Sequence, residues 1–325
     1  MQCAIIRKLY QLVVSENKIM MGELSYARLI VNPAAGAGRT AKRWPRIKEC
    51  LKKVGLKFEQ DLTEAPGHAI ELAKAAVSKG YKLIVSVGGD GTINEVVNGI
   101  YETGNLKDIT VGIIGTGTGG DYIRTLGIPR NYLQSCEHLA NSHKMTVDIG
   151  MVEHTVNGQK KRRLFTNFAG LGFDAEVVKS TTKKYKSLGS VPSYLMGLLT
   201  TLVCYHNREI SLKIDGKEEK RKVCTIIMSN GKYGGGSMFI APQADIKDGL
   251  FDVVIIGDLS KPDLLVSIPR IYRGTHLTHP KVTLIHAREV EIQTKNTTAL
   301  QADGELLGEA PARFTILPSA LTILV

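Results

Sequence analysis

Four short segments of this 325-residue chain combine residue types that handle phosphates or protons. The first is Asn32-Pro33-Ala34-Ala35-Gly36-Ala37-Gly38-Arg39-Thr40. Its small residues let backbone N–H groups converge on an anion at a helix N-terminus, although an ordinary βα loop has the same composition. The second is Gly88-Gly89-Asp90-Gly91-Thr92-Ile93-Asn94-Glu95. Three glycines leave that loop almost bare, so a phosphate can approach main-chain donors. Asp90 would repel the anion unless a cation bridges the two or the carboxylate acts as a base. Thr92 and Glu95 also have the T-x-x-E spacing of a capping box, but a cap does not require three glycines. The third is Gly117-Thr118-Gly119-Gly120-Asp121-Tyr122-Ile123-Arg124. The fourth, Asp303-Gly304-Glu305, places two carboxylates around a glycine. Such a pair can hold Mg²⁺ or accept a proton; taken alone it reads as a surface turn. A related loop runs from Ala241 to Leu250 and contains Asp245 and Asp248, read equally as a cation loop or a turn.

Other chemistries fit less well. Gly115, Gly117 and Gly120 match GxGxxG, and Gly36, Gly38 and Ala41 match GxGxxA with Glu59 and Asp61 further on. A dinucleotide fingerprint needs its first glycine in the tight turn after the strand, and Pro33 and its neighbours intervene here. No GxxxxGK[ST] loop, G-x-S-x-G elbow or HExxH pair is present. The 5 cysteines are odd in number, scattered and without a CxxC pair. That pattern indicates neither a zinc knuckle nor a disulfide framework and fits a reducing cytoplasm.

The elements that carry these loops alternate in the first half. Short apolar runs at Tyr26–Val31, Lys57–Leu62, Lys82–Val87 and Val111–Ile114 are separated by helical periodicity. The helical positions are Ala41, Trp44, Ile47, Leu51 and Val54, then Ile70, Ala73 and Val77, then Ile93, Val96, Val97 and Ile100. The pattern predicts a Rossmann-like parallel sheet covered on both faces, with ligands at the carboxyl ends of its strands. The second half predicts antiparallel β-structure, a sandwich or barrel. Asn157-Gly158 joins Met145–Val152 to Arg163–Phe168, and Asp215-Gly216 joins Arg208–Ile214 to Lys220–Ser229. Further strands are expected at Phe251–Ile256, Val282–His286, Val290–Thr294 and Arg313–Leu317. Helices are expected at Leu171–Thr182, Pro192–Tyr205 and Pro262–Tyr272. The expected domains are 25–145 for the α/β part, completed by 310–325, and 146–309 for the β-sandwich.

Composition sets the outer bounds. The length suggests two domains. Hydrophobic residues at 43% and charged residues at 22% are ordinary for a globular chain, which argues against disorder. Eleven of the 33 glycines fall between Gly80 and Gly120, in the phosphate-type loops and not in a linker. The net charge of +11 admits nucleic acid or an anionic membrane, but aromatics at 6% and the lack of a recognition motif disfavour nucleic acid. Leu195–Tyr205 is too short to span a bilayer and reads as core or as an acyl-pocket lining. Met1–Met21 lacks a signal-peptide pattern and reads as an extension upstream of the first strand.

Together the motifs resemble the diacylglycerol kinase catalytic-domain family, including bacterial diacylglycerol kinase-like and sphingosine kinase-like lipid kinases. Asn32-Pro33-x-x-Gly36, GGDGTINEVVNG over Gly88–Gly99, Gly117-Thr118-Gly119-x-Asp121, Asp248-Gly249 and Asp303-Gly304-Glu305 occur in the family's order. The similarity runs from about Arg28 to the end of the chain. It implies an α/β nucleotide domain, a β-sandwich and an active site between them, with ATP and Mg²⁺ as cofactors. It assigns ATP contacts to Asn32, Pro33, Ala34, Ala35, Gly36, Thr63, Gly88, Gly89, Asp90, Gly91, Thr92, Ile93, Asn94, Glu95 and Thr118. Asp245, Asp248 and the Leu250 carbonyl match a structural Mg²⁺ loop. Glu305 or Asp90 matches the proton acceptor, with Asp303 as metal support. Asp121, Asp174 and Glu176 match positions near the lipid, the last two within Gly170–Glu176, which continues into Tyr185-Lys186-x-Leu188-Gly189. Two positions depart from the pattern: Gly120 stands where the family commonly has Asn, and Gly115 where it has Pro.

The implied reaction is transfer of the ATP γ-phosphoryl group to a lipid hydroxyl, diacylglycerol or a related alcohol. The rival readings are an NAD kinase-like phosphotransferase, which shares the GGDG loop, and a catalytically silent lipid-binding protein. The partner expected is a lipid at an anionic membrane surface, with no nucleic acid and with a homodimer left open. The expected location is cytoplasmic and peripheral. The basic runs Lys160–Arg163, Lys183-Lys184 and Lys220–Lys222 are the expected membrane contact, at about 1 kcal/mol per cation.

Overall fold

The computed structural model describes residues 26–184 and 190–325, and for 182–195 no side chains. Met1–Met21, Tyr185-Lys186-x-Leu188-Gly189 and the side chains of Lys183 and Lys184 lie outside the described residues. The chain divides into two compact units, 1–146 with 321–325, and 147–320.

The first unit is a parallel α/β sheet. Its strands are β1 (Tyr26–Val31), β2 (Lys57–Leu62), β3 (Leu83–Gly88) and β4 (Thr110–Gly115). β1 pairs in parallel with β2 and β3, and β3 with β4. The chain's last residues add one more parallel strand, with Thr322 beside Thr110. Every residue of β3 is buried, as the apolar run predicts for a strand covered on both faces. Helices α1 (Arg39–Lys53), α2 (His68–Ser78), α3 (Asp90–Glu102), α4 (Asp121–Thr125) and α5 (Tyr132–Asn141) supply the cover. Ala27, Leu29 and Val31 pack with Ile47 and Leu51 of α1 and with Cys136 and Leu139 of α5. On α3, a Cβ at Gly99 would lie 2.4 Å from the Ile70 carbonyl oxygen of α2. The last glycine of the GGDGTINEVVNG run therefore serves helix packing.

The second unit is antiparallel β with helices on one face. The hairpin β5 (Lys144–Val156) and β6 (Gln159–Phe165) turns at Asn157-Gly158, both at positive φ. β7 (Phe168–Gly172) pairs with β9 (Lys217–Ser229), which also pairs with β8 (Arg208–Ile214) and β10 (Phe251–Gly257). Then follow β11 (Val282–Ala287), β12 (Glu289–Thr294), β13 (Ala299–Ala302), β14 (Glu305–Glu309) and β15 (Ala312–Leu324). In β10 the side chains alternate between two cores. Phe251, Val253 and Ile255 join one, while Val254 and Ile256 join another with α6 (Phe173–Lys184), α7 (Ser190–Cys204) and α8 (Lys261–Arg273).

Two expectations need correction. Leu171 is in strand β7 and not in a helix, because Gly172 at φ 112° breaks the chain before α6 starts. The hairpin of β13 and β14 was absent from the strand expectations; its strands are 4 and 5 residues long and show no extended alternation.

His276 is 2% exposed and its Nε2 lies 2.9 Å from the Ile240 carbonyl. Burial pushes its pKa below the usual 6.5, and His154 shifts the same way for the same reason. The unfolded chain takes up protons that these buried rings refuse. Stability should hold above about pH 6.5 and fall as pH drops below it. Urea midpoints measured across that window should show the slope, and His276→Gln should reduce it.

Candidate functional site

A cavity of about 460 Å³ opens in the first unit beside the carboxyl ends of β1, β2 and β3. It is lined by Asn32, Ala34, Ala35, Gly36, Thr63, Gly89, Asp90, Gly91, Thr92, Glu95 and Thr118 of the expected set. Glu64, Ala65, Pro66, Gly117 and Gly119 line it as well and were not expected. Gly117 and Gly119 belong to a loop already singled out. Of the expected residues, Pro33 and Gly88 are not in the lining, and Ile93 and Asn94 are buried within α3.

The loops are shaped by close backbone contacts. A Cβ at Gly117 would lie 2.5 Å from the Gly89 Cα, so the second and third loops touch main chain to main chain. A Cβ at Gly36, which sits at φ 63°, would lie 2.6 Å from the Thr116 carbonyl oxygen. Asn32 Nδ2 donates to Thr92 Oγ1 at 3.0 Å, and Asn32 Oδ1 accepts from the Ala34 N–H at 3.0 Å. The N-termini of α1 and α3 adjoin this bare backbone, a setting that favours anions.

The charged residues of the second loop work locally. Asp90 accepts from the amides of Gly120 (2.8 Å), Asp121 (3.3 Å) and Tyr122 (3.0 Å), and so holds the start of α4. Glu95 accepts from Gly67 (3.0 Å) and Ala69 (3.1 Å) and caps α2. The capping box is therefore not formed. Helix α3 begins at Asp90, which puts Thr92 inside the first turn and turns Glu95 toward a neighbouring helix. At the two departures from the family pattern, Ile123 fills the space. A Cβ at Gly115 would lie 2.6 Å from Ile123 Cδ1, and one at Gly120 3.2 Å away. Asp121 is buried at the start of α4.

In the second unit, Asp303-Gly304 forms the turn between β13 and β14, with φ values of 46° and 82°. Asp303 Oδ2 accepts from Thr166 N (2.6 Å) and Oγ1 (2.9 Å), and Oδ1 from Asn167 N (3.0 Å) and Phe168 N (3.1 Å). A carboxylate so occupied ties β6 to β7 and fixes the turn before β14. Glu305 Oε2 accepts from Arg163 Nη2 at 2.6 Å, and the Glu305 side chain is 39% exposed. Arg163 had been read only as part of a basic run.

Asp174 lies half-buried at the start of α6, where Oδ1 accepts from Thr225 Oγ1 at 2.5 Å and Oδ2 from Gln301 Nε2 at 2.8 Å. Gln301 Oε1 in turn accepts from the Gly304 N–H at 2.9 Å. Burial raises the Asp174 pKa, and the hydrogen bonds from Thr225 and Gln301 oppose that shift. A Cβ at Gly170 would lie 1.9 Å from Asp174 Oδ2, which accounts for that glycine. Glu176 pairs with Lys179 at 3.6 Å on the same helix.

Asp245 and Asp248 are exposed, and each turns one oxygen back onto its own loop. Asp245 Oδ1 accepts from Lys247 N (3.1 Å) and Asp248 Oδ1 from Leu250 N (2.9 Å). Carboxylate and carbonyl oxygens are ligand types that Mg²⁺ takes. Among the described residues no cluster of three His, Cys, Asp or Glu side chains is poised for a metal. The loop is anchored by Asp148, which accepts from Gly249 N and from Ser319 N, both at 2.7 Å. Asp148 was not among the expected residues; a lone acid within the apolar strand Val147-Asp148-Ile149 was the available signal.

A glycine-lined cavity on a parallel sheet, followed by an antiparallel β unit, defines a protein of the α/β plus β type. Residues 26–152 match the profile of the diacylglycerol kinase catalytic domain. Residues 167–325 match that of the YegS C-terminal NAD kinase beta sandwich-like domain. The chain is 31% identical over 293 residues to a diacylglycerol kinase of Bacillus subtilis, covering 90% of this chain and 93% of the relative. It is 29% identical to the Staphylococcus carnosus diacylglycerol kinase, covering 91% of this chain and 94% of the relative. A crystal structure described as a candidate diacylglycerol kinase from Bacillus anthracis superposes with a TM-score of 0.74 at 25% identity, over 93% of this chain and 95% of that one. The chain belongs to the diacylglycerol kinase family and is a kinase.

Proposed function

We propose that this protein transfers the γ-phosphoryl group of ATP to the hydroxyl of a membrane lipid, diacylglycerol or a closely related lipid alcohol. The observation that carries the proposal is the cavity in which the Asn32–Gly36, Gly89–Glu95 and Gly117–Gly119 loops meet. Its bare backbone and adjoining helix N-termini suit a polyphosphate, and Thr63, Glu64 and Ala65 give it a further wall. Phosphoryl transfer demands little beyond positioning and charge stabilisation.

The two candidate bases then separate. Asp90 already accepts three amides, so its role is to hold the Gly117–Asp121 loop. Glu305 is partly exposed, restrained by Arg163, and is the group proposed to take the lipid hydroxyl proton as the oxygen attacks phosphorus. Asp303 and the chain Asp174–Gln301–Gly304 set the turn on which Glu305 stands. Asp245, Asp248 and the Leu250 carbonyl would hold Mg²⁺. When bound there, the ion would supply positive charge that binds these oxygens into one loop conformation.

The lipid relatives and the GGDGTINEVVNG run support the lipid acceptor over NAD. Incubation with labelled ATP and separate diacylglycerol, monoacylglycerol, ceramide, sphingosine, phosphatidylglycerol and NAD arms tests this. Label in diacylglycerol is expected. Label in NAD alone, or in no acceptor, would overturn the proposal.

A further inference from the structure

Helices α7 and α8 carry apolar side chains on both their inner and their outer faces. Leu198 and Leu202 of α7 and Leu264 and Ile271 of α8 pack into the core around Phe168, Ile227 and Val254. Facing away from that core are Met196, Leu199 and Val203 on α7, at spacings of three and four, and Leu265 and Val266 on α8. Val203 is 68% exposed and Val266 64%, values at which a helix normally presents polar residues to water. The two helices adjoin, because Lys261 Nζ at the start of α8 donates to the Val203 carbonyl. Between Ser190 and Cys204 the sequence has no charged residue. Exposed contiguous apolar patches mark interaction sites.

The fringe of this patch is cationic. Lys261 stands at one end of α8, and exposed Arg270 and Arg273 stand at the other. The one acid of that helix, Asp263, accepts from Ser260 Oγ at 2.7 Å in the N-terminal cap. Of the basic runs singled out in the sequence, Lys160, Lys161 and Lys220 make no ion pair among the described residues, but four other cations do. Arg162, Arg163, Arg221 and Lys222 are paired with Glu153, Glu305, Glu219 and Asp258. Arg270 and Arg273 make no ion pair among the described residues.

We propose that the outer faces of α7 and α8 form a bilayer-docking surface. Met196, Leu199, Val203, Leu265 and Val266 enter the boundary between head groups and acyl chains, while Lys261, Arg270 and Arg273 meet anionic head groups. An apolar stripe edged by cations is the composition of helices that lie in a membrane interface. The proposal rests on the lipid-kinase reading, since an acceptor held in a bilayer brings the enzyme there. A second copy of the chain fits the patch less well. A two-fold interface would set the same cations against each other, on chains that each carry +11.

Co-sedimentation of the full chain with phosphatidylcholine vesicles, with and without phosphatidylglycerol, tests the surface. The wild type should pellet with the anionic vesicles. Leu265→Ser/Val266→Ser and Leu199→Ser/Val203→Ser should each weaken partitioning at least about tenfold, through lost apolar burial. Arg270→Gln/Arg273→Gln should remove the preference for phosphatidylglycerol. All three variants should phosphorylate short-chain diacylglycerol in detergent micelles at the wild-type rate. Unchanged vesicle binding by the apolar variants, or no binding by the wild type, would overturn the assignment. So would a wild-type dimer in light scattering that these variants dissociate without losing vesicle binding. Wild-type vesicle binding that the apolar variants lose, without kinase activity on any lipid, would leave the surface standing and refute the kinase reading instead.

Discussion

Glu305→Gln is expected to lower kcat by about 10²–10⁴-fold, the range for loss of a general base, with the KM for ATP little changed. Glutamine keeps the length of the side chain, and its carbonyl oxygen still accepts from Arg163, whose Nη2 lies 2.6 Å from Glu305 Oε2 in the native protein. What it loses is the ability to take a proton. The thermal midpoint should stay close to that of the wild type, because the side chain is partly exposed. Asp90→Asn should give a different signature. An amide placed against the N–H groups of Gly120, Asp121 and Tyr122 opposes donor to donor and loosens the third loop. The result should be a raised KM for ATP along with a lower kcat. Steady-state kinetics of the two variants would tell them apart. A kcat loss confined to Asp90→Asn, with Glu305→Gln at wild-type turnover, would move the base to Asp90.

The second large effect is expected at Asp174, a half-buried carboxylate at the start of α6. In Asp174→Asn, the NH₂ group faces either Thr225 Oγ1, whose proton is then given to the Leu171 carbonyl, or Gln301 Nε2, and in the second arrangement the relief is a flip of the Gln301 amide. That flip turns the Gln301 NH₂ toward the Gly304 N–H, which loses its acceptor. Losing a hydrogen bond costs about 0.5–1.5 kcal/mol, and here the loss falls on the turn that carries Glu305. kcat should drop by up to about tenfold, with the KM for ATP unchanged, since the nucleotide loops belong to the other unit. Gln301→Glu alone would place two carboxylates together and should also be impaired. The double variant Asp174→Asn/Gln301→Glu restores donor to acceptor at both joints. Its kcat should recover, as measured by a double-mutant cycle with circular dichroism to confirm folding. A double variant no better than the sum of the singles would refute the linkage.

Much of the first unit was legible because its signals are local. Tyr26–Val31 and Lys57–Leu62 are strands at the predicted residues, and the three helical stripes lie on α1, α2 and α3. Both Asn-Gly and Asp-Gly turns are where the sequence places them, since few residues tolerate positive φ at both positions. The cavity's lining was largely legible too, because glycines gather where backbone approaches backbone or ligand. The less legible parts depend on distant partners. Asp148, Gln301 and Arg163 look ordinary along the chain, and their importance comes from Ser319, Gly304 and Glu305.

The sequence by itself therefore determined the parallel α/β and antiparallel β halves, the glycine loops and the family. These follow from periodicity, turn chemistry and motif order, which are short-range properties. Only the tertiary structure decided which donors each carboxylate meets. Asp90, Asp303 and Asp174 all looked like candidates for chemistry, yet their oxygens are engaged by amides, hydroxyls and a glutamine from elsewhere in the chain. Glu305, two residues after Asp303, meets an arginine and partial solvent instead. A carboxylate's role depends on how many donors reach its lone pairs, and that number is set when the chain closes on itself.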